Sequence, residues 1–455
     1  MLPPPLWSGQ MWRHDKLRVA YLSPDFRSHP VAFLTAELFE LHDRSRFEII
    51  GVSFGVDDRS EMRKRLVAAF DEFHDVRSKS DKEVAKLLND RQVDIAVDLA
   101  GHTRDSRPGI FAHRPVPVQV SYLGFPATMG ADFIDYIIAD AMVLPVEHQP
   151  YYTEKIAYLP DCYMVSDTKR KIAERTPTRQ EMGLPEHGFV FCCFNNNWKI
   201  TPEIFDIWMR LLHWVEDSVL WLLGTNEGAE RNLRKEAQRR GIDPSRLVFA
   251  GYLPLAEHLA RQRLAGLFLD TTPYNAGATA AAALWSELPV LTVIGETFVG
   301  RMAASMLHAV GIPELITSNL EDYQTLALKL ARDPALLAEI KAKLVGHRNT
   351  YPLFDTVRFT RHLEAAYTTM WATWQRGEAP KSFSIEPIDL GGSVGVAASA
   401  VSEISRHSCL GMRPSLHRLD SEMAINSPTA GPTENLPDCA NAYAIALQAA
   451  LPKDQ

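Results

Sequence analysis

Short apolar segments alternate with longer amphipathic ones along most of this chain, and this alternation constrains the fold more than any other feature. Apolar runs of about four to eight residues predict buried strands, and the 3.6-residue periodicity between them predicts helices that cover a sheet. In the first half the predicted strands are Leu17–Leu22, Phe47–Phe54, Val93–Leu99, Val116–Tyr122 and Ile134–Ala139, and the predicted helices are Ala32–His42, Arg59–Ala69 and Asp81–Leu88. The pattern predicts a doubly wound α/β domain.

A second series of the same kind follows the polar stretch Asp167–Gly188. Its predicted strands are Phe189–Phe194, Val219–Leu223, Leu247–Ala250, Gly266–Asp270 and Val290–Val293, and its predicted helices are Pro202–Val215, Ala229–Arg240, Leu255–Leu264, Thr279–Trp285 and Val299–Val310. In doubly wound sheets, ligands bind at the carboxyl ends of the strands near the point where the strand order reverses. Two such domains in tandem therefore predict a ligand-binding cleft between them.

Changes in composition predict the domain boundaries. We predict an N-terminal extension over 1–16, Rossmann-like domains over 17–166 and 167–355, a C-terminal helix over 356–380 and a tail over 381–455. The tail is rich in Ser, Gly, Pro and Ala without sustained periodicity, which predicts a mostly disordered segment with a short helix near Asn441–Leu451.

Charge and cysteine content exclude several classes of protein. A formal charge of −8 over 455 residues, with no concentrated basic face, argues against a nucleic-acid partner. No apolar run approaches the ~20 residues of a membrane span, and the N-terminal residues lack the pattern of a signal peptide. The five cysteines show neither a CxxC pair nor a metal-ligand spacing. These features predict a cytoplasmic protein without a membrane partner or a metal site.

The junction LFLDTTPYNAGATAAAAL at Leu267–Leu284 joins a buried strand to an alanine-rich helix. Amides in the first turn of a helix have no intrahelical partner, and Gly277, Ala278 and Thr279 leave room for a phosphate to approach them. Small residues also occur wherever a helix packs closely on a sheet. The junction alone therefore leaves both a phosphate site and plain packing open.

Six segments carry a resemblance to a known family. They are SPDFRSHPVAFL (Ser23–Leu34), DLAGHTRDSRPGIFAHRPVPVQVSYLGFPATMGADFIDYIIAD (Asp98–Asp140), FNNNWKI (Phe194–Ile200), SVLWLL (Ser218–Leu223), LFLDTTPYNAGAT (Leu267–Thr279) and GETFVGRMAASML (Gly295–Leu307). Their order over 17–377 resembles the catalytic region of the O-GlcNAc transferase and SPINDLY family, in its bacterial branch, without the usual tetratricopeptide repeats. The resemblance implies the GT-B architecture and inverting sugar transfer from a nucleotide sugar to Ser or Thr hydroxyls.

On the nucleotide side, the resemblance assigns roles to residues of the second domain. It places Lys199 and the amides of 277–279 on the leaving diphosphate, with Asn196 nearby. A cation there stabilises charge that grows as the glycosidic bond breaks. Because the chain has no Asp-x-Asp pair, we expect transfer without metal or other cofactor. His258 and Arg261, one helical turn apart, match the residues around the base and nucleoside. A solvated lysine and a surface histidine are the plainer interpretations of Lys199 and His258.

On the sugar and acceptor side, the resemblance places His29 beside the reacting sugar, as a base or as a group that positions the acceptor. Gly124 and Pro126 match a loop that lines the sugar pocket, and Arg104 stands where the family often has a basic residue. An ordinary turn glycine is the alternative interpretation of Gly124.

Several positions depart from the family pattern. Gly277 and Ala278 replace His and Thr, Ala282 replaces the aspartate that binds the ribose, Leu255 replaces a lysine, and Asn196 replaces a common glutamine. Each lost hydrogen bond typically costs on the order of 1 kcal/mol. We therefore expect weak nucleotide binding. The departures also leave open whether the site selects uridine over other bases.

The sequence thus predicts a metal-independent, inverting glycosyltransferase whose partners are a nucleotide sugar, most simply UDP-GlcNAc, and an acceptor protein or peptide. A protein O-fucosyltransferase that uses GDP-fucose is the enzymatic alternative. A catalytically silent nucleotide-sugar binding module is the alternative from another class, favoured by the departures at Gly277, Ala278 and Ala282. A nucleotide-sugar 2-epimerase shares the architecture but lacks support from the quoted segments.

Overall fold

The computed structural model describes residues 2–224 and 226–388. Its first sheet begins with a strand over the seven residues after Lys16, of which the last five are buried. Strands of this first domain are β1 (Leu17–Ser23), β2 (Phe47–Ser53), β3 (Glu72–Asp75), β4 (Ile95–Asp98), β5 (Val118–Ser121), β6 (Tyr136–Asp140) and β7 (Lys155–Leu159). Its helices are α1 (Pro30–Leu41), α2 (Glu61–Ala69), α3 (Asp81–Asp90) and α4 (Pro108–Ala112). Every strand pairs in parallel with its neighbours, as the crossover helices require.

The second domain repeats this plan. Its strands are β8 (Val190–Cys193), β9 (Val219–Leu223), β10 (Leu247–Ala250), β11 (Leu267–Leu269), β12 (Val290–Val293) and β13 (Ile316–Thr317). Its helices are α5 (Pro202–Trp214), α6 (Glu227–Arg239), α7 (Leu255–Arg261), α8 (Ala278–Trp285), α9 (Met302–Ala309), α10 (Leu320–Arg332) and α11 (Pro334–His347). The strand order β10-β9-β8-β11-β12-β13 reverses between β8 and β11. The predicted α/β fold with two doubly wound domains is thereby confirmed.

The chain then returns to the first domain through α12 (Thr356–Gln375) and β14 (Phe383–Ser384). Helix α12 buries Leu363, Tyr367 and Met370, and the Tyr367 hydroxyl donates to that of Tyr21 at 3.1 Å. Strand β14 pairs with β7, so the first sheet has the order β14-β7-β6-β5-β4-β1-β2-β3. This order reverses between β1 and β4.

Some elements differ from the sequence-based expectations. Strands β3, β7 and β13 and helix α10 are absent from the predicted series. Strand β3 is polar and β13 has only two residues, whereas β7 contains the short apolar run Ile156–Leu159. Residues 381–388, assigned to the tail, instead include strand β14 on the first sheet. The remainder of the predicted tail, 389–455 with its expected helix, lies outside the described residues. Within the described part of the chain, no helix is both long and apolar enough to cross a bilayer.

Polar contacts fasten the two domains to each other. The Ser305 hydroxyl on α9 donates to Asp140 at the end of β6 at 2.6 Å, and the Arg301 guanidinium donates to the Met142 carbonyl at 2.5 Å. Arg65 on α2 donates to the carboxylate of Asp167, in the segment between the domains, at 2.5 Å. These contacts fix the separation of the two sheet edges at which the strand order reverses.

Candidate active site

A cleft of about 910 Å³, partly open to bulk solvent, lies between the two points of strand-order reversal. Its wall in the first domain comes from the segments after β1, β5 and β7, and its wall in the second domain from the segments after β8 and β11 and from α9. The lining residues are His29, Pro30, Val31, Leu34, Leu123, Gly124, Pro126, Tyr163, Met164, Phe194, Asn195, Asn196, Lys199, Leu223, Tyr274, Gly277, Ala278, Thr279 and Met302. This is the cleft between facing domains that the strand pattern predicts.

A buried carboxylate organises the wall of the second domain. Asp270 directly follows β11, and its Oδ1 accepts hydrogen bonds from the amides of Thr271 and Ala276 at 2.8 and 2.7 Å and from the Asn195 side chain at 3.0 Å. Its Oδ2 accepts from the Thr292 hydroxyl at 2.7 Å. Burial raises the pKa of Asp270 to about 6 in spite of these donors. The carboxylate therefore holds both ends of the segment that leads into α8.

Helix α8 begins at the cleft with Gly277 as its N-cap, a residue without a side chain to accept hydrogen bonds from the first-turn amides. A Cβ on Gly277 would lie 3.5 Å from Met302, an ordinary contact, so the structure does not require glycine here for steric reasons. The Thr279 hydroxyl donates to Asn195 Oδ1 at 2.5 Å, which joins the helix start to the end of β8. No side chain caps the amide groups at this helix start, and their predicted role in binding an anion stays a prediction.

Lys199 lies on the same wall of the cleft, in the segment after β8, which is the neighbour of β11 where the strand order reverses. It closes a short 3₁₀ turn after β8, and its Nζ donates to the Asn275 carbonyl at 2.8 Å. The ammonium also lies 3.9 Å from the centre of the Tyr274 ring and 5.6 Å from that of Trp198. The ammonium is thereby held at the carbonyl of Asn275, which lies two residues before the N-cap Gly277 of α8. Asn196, three residues earlier, also lines the cleft.

On the opposite wall, His29 is the N-cap of α1 and lines the cleft. Its Nδ1 accepts a hydrogen bond from the Val31 amide at 3.3 Å and lies 3.5 Å from Asp25 Oδ2. Burial, with a smaller contribution from Arg27, lowers the pKa of His29 to about 3, so the ring is neutral near pH 7. A neutral ring that accepts at Nδ1 carries its hydrogen on Nε2. This geometry favours His29 as a hydrogen-bond donor that positions a ligand over the alternative role of base.

The loop after β5 packs closely against the backbone that follows β4 and also lines the cleft. Leu123 has a φ of +66°, and the Gly124 amide donates to the Tyr122 carbonyl at 2.9 Å. A Cβ on Gly124 would lie 1.8 Å from the Leu99 carbonyl oxygen, so a side chain cannot fit there. The close approach that Gly124 permits is therefore to the backbone after β4, while Gly124 and Pro126 still line the cleft.

His258 and Arg261 bind each other beneath the cleft and do not line it. The Arg261 guanidinium donates to His258 Nδ1 from Nη2 at 2.7 Å and from Nε at 3.1 Å, and to the Gly251 carbonyl from Nη1 at 2.6 Å. The ring hydrogen of His258 is then on Nε2, 3.1 Å from the Gln262 side-chain amide. Gln262 accepts this hydrogen when its side-chain amide is oriented with Oε1 toward the ring. His258 also packs edge-on against Phe194, a cleft residue, at 5.3 Å between ring centres. Through Phe194 the pair supports the cleft, and its predicted contacts with base and nucleoside stay a prediction.

This environment of His258 predicts a pH-dependent stability. Burial and Arg261 lower its pKa from 6.5 to about 3, so between these values the unfolded chain binds a proton that the native state does not. Stability should therefore fall as the pH falls below 6.5. Between pH 7 and 5 we expect the wild type to lose about 2 kcal/mol more than His258→Gln, measured as free energies of unfolding in urea. Parallel pH profiles for the two proteins would contradict the assignment of a neutral ring.

Two further predicted residues also lie outside the cleft lining. Ala282 is 4% exposed within α8, so a side chain at this position points into packed protein in the present structure. Arg104 lies in an exposed turn between β4 and α4. The structure thus brings together His29, Gly124, Pro126, Asn196, Lys199, Gly277, Ala278 and Thr279, and leaves His258, Arg261, Ala282 and Arg104 at its periphery.

Several residues that shape the site were not predicted from the sequence. Asp270 ends the predicted strand Gly266–Asp270 and Asn195 directly follows the predicted strand Phe189–Phe194, and a polar residue at the carboxyl end of a strand was the available signal. Tyr274 forms the ring surface under the Lys199 ammonium, and Tyr163, Met164 and Met302 supply apolar lining. The last three come from segments that meet only when the domains pack together, so their spacing in the sequence carried no signal.

Comparisons with known proteins agree with this architecture. The model of glycosyl transferase family 41 matches residues 6–176 and 173–363. The chain is 36% identical over 381 residues to a probable UDP-N-acetylglucosamine–peptide N-acetylglucosaminyltransferase, SEC, of Arabidopsis thaliana, covering 82% of the chain and 39% of the relative. The corresponding Caenorhabditis elegans transferase is 28% identical over 476 residues, covering 80% of the chain and 41% of the relative.

A solved structure gives the same result. A mutant of the Thermobaculum terrenum O-GlcNAc transferase superimposes with a TM-score of 0.74 at 31% identity, over 80% of this chain and 69% of that one. The chain spans about two fifths of the length of the curated relatives it matches. The resemblance that the sequence motifs indicated is confirmed, and the chain belongs to glycosyl transferase family 41, a family of glycosyltransferases.

Proposed function

We propose that this protein transfers N-acetylglucosamine from UDP-GlcNAc to Ser or Thr hydroxyls of an acceptor protein, with inversion and without a metal ion. The observation that carries the proposal is the convergence of Lys199 and the α8 start on one side of a cleft whose other side presents His29. The names of the relatives, which describe UDP-N-acetylglucosamine–peptide transferases, support this choice of donor and acceptor.

In this proposal the acceptor hydroxyl oxygen attacks the anomeric carbon from the face opposite the diphosphate, and the bond from that carbon to the diphosphate oxygen breaks. The proton of the hydroxyl passes to a phosphate oxygen of the leaving UDP, directly or through water. Negative charge accumulates on the leaving UDP. The Lys199 ammonium and the first amides of α8 stabilise this charge more in the transition state than in the ground state. His29, with its hydrogen on Nε2, orients the sugar or the acceptor by donating a hydrogen bond.

A catalytically silent binding module is the second candidate, and two observations favour it. Gly277 and Ala278 offer no polar side chain to a diphosphate, and the Thr279 hydroxyl already donates to Asn195. A panel of nucleotide sugars that includes UDP-GlcNAc and GDP-fucose separates the candidates, with binding and release of nucleoside diphosphate measured with and without acceptor protein. Transfer from UDP-GlcNAc supports the proposal, transfer from GDP-fucose supports the fucosyltransferase alternative, and binding without turnover supports the silent module.

Independence from metal gives a direct test of the proposed mechanism. If Lys199 and the α8 amides supply the positive charge, turnover should be unchanged within about twofold in excess EDTA. The measurement is the rate of UDP release at saturating UDP-GlcNAc and acceptor. A loss of turnover in EDTA that magnesium or manganese restores would contradict the mechanism.

A further inference from the structure

Tyr163 is held by contacts with both domains, through its backbone and through its ring. It lies in the segment after β7, where its amide donates to Asp140 Oδ2 at 2.7 Å and its carbonyl accepts from the Tyr122 hydroxyl at 3.1 Å. Its ring packs edge-on against Phe298 of the second domain, with 4.9 Å between ring centres. The ring is therefore fixed in position before any ligand binds.

The Tyr163 hydroxyl is buried and has no hydrogen-bond partner among the described residues. Tyr163 as a whole is 1% exposed. The hydroxyls of four comparably buried tyrosines all have protein partners, in Tyr21, Tyr122, Tyr323 and Tyr367. A buried hydroxyl without a hydrogen-bond partner is destabilising. The Tyr163 hydroxyl therefore differs from the hydroxyls of these four tyrosines.

The location of Tyr163 indicates which group could satisfy the hydroxyl. Tyr163 lines the cleft together with Met164 and Met302, and Met164 lies 3.8 Å from the place a Cβ on Gly277 would take. This part of the cleft is therefore continuous with the start of α8. A donor whose diphosphate binds Lys199 and α8 would place its sugar next to the diphosphate, toward the wall of the first domain.

We propose that the Tyr163 hydroxyl donates a hydrogen bond to an oxygen of the transferred sugar and so contributes to donor recognition. The inference rests on the proposed function, because it requires a nucleotide sugar in the cleft. Burial raises the pKa of Tyr163 well above its usual value, which keeps the hydroxyl protonated as a donor. The neighbouring Met164 and Met302 provide apolar contact for the remainder of the sugar unit.

The test compares Tyr163→Phe with wild type by isothermal titration with UDP-GlcNAc and with UDP. The variant removes one oxygen, so UDP-GlcNAc should bind roughly tenfold more weakly while UDP, which has no sugar, binds equally well. Equal UDP-GlcNAc affinity in both proteins, or an equal loss of UDP affinity in the variant, would overturn the proposal. If wild type binds UDP but not UDP-GlcNAc, the proposed donor fails and this inference fails with it.

Tyr367→Phe is the matched control, because its hydroxyl is buried but donates within the protein. This control should lower the melting temperature and leave the affinity for UDP-GlcNAc unchanged. Tyr163→Phe should show the reverse, a melting temperature at least as high as wild type and a weaker affinity. If Tyr163→Phe lowers the melting temperature as much as the control does, the hydroxyl has a structural partner and the proposal is wrong.

Discussion

Replacing Lys199 with methionine is expected to lower the turnover of sugar transfer by at least about a hundredfold. Lys199 supplies a positive charge at the cleft wall, 2.8 Å from the Asn275 carbonyl and close to the start of α8. The charge on the leaving diphosphate grows toward the transition state, so the lost interaction should reduce turnover far more than ground-state affinity. Methionine keeps most of the length of the side chain and removes the charge.

The measurement is the rate of UDP release at saturating donor and acceptor, together with UDP affinity by titration. Lys343→Met is the control, because Lys343 forms an exposed ion pair with Glu314 and neither residue lines the cleft. The control should keep both turnover and affinity. Turnover of Lys199→Met within about threefold of wild type would remove Lys199 from the proposed mechanism.

The sequence predicted the fold well, because in both domains short apolar strand segments alternate with amphipathic helices, and this pattern is visible locally in the sequence. Strands such as Val219–Leu223 and Val290–Val293 are buried and mostly apolar runs between helices, and the structure gives them the predicted bounds. Among the strands that were not predicted, β3, β13 and β14 are short edge strands without that pattern. Strand β14 forms because α12 returns the chain to the first sheet, a tertiary event that no local pattern encodes.

The site was predictable only where one short segment contains its chemistry. Lys199 and the 277–279 junction each lie in the segment that follows a strand, and both line the cleft. His258 and Arg261 share one helix face, as their spacing predicts, yet the structure pairs them with each other instead of placing them in the cleft lining. Spacing in the sequence shows that two side chains are neighbours. Whether they bind each other or a ligand depends on tertiary packing, which local spacing does not show.

Replacing Asp270 with alanine should destabilise the protein and remove diphosphate binding together. Asp270 is 1% exposed and accepts four hydrogen bonds, three of which hold the ends of the segment 271–276 and the Asn195 side chain. Alanine would leave those donors buried without an acceptor, at a cost of about 3 kcal/mol or more. Urea unfolding measures the loss of stability, and UDP titration under conditions where the variant is folded measures the loss of binding.

Asp270→Asn is the matched variant, because its carbonyl oxygen can still accept from the Thr271 and Ala276 amides and from Asn195. It should keep most of the stability and UDP binding that Asp270→Ala loses. The two proteins also differ in pH dependence, because burial raises the pKa of Asp270 from 3.8 to about 6.

Between those two pKa values the native state of the wild type holds a proton that the unfolded chain releases, so the contribution of Asp270 to stability falls as the pH rises through about 6. The asparagine variant has no such group. Its stability relative to wild type should therefore increase from pH 4 to pH 7 in urea unfolding. If Asp270→Ala instead unfolds at the same urea concentration as wild type, the carboxylate does not hold this wall of the cleft. The 271–276 segment would then owe its conformation to the packing of α8 and α9 alone.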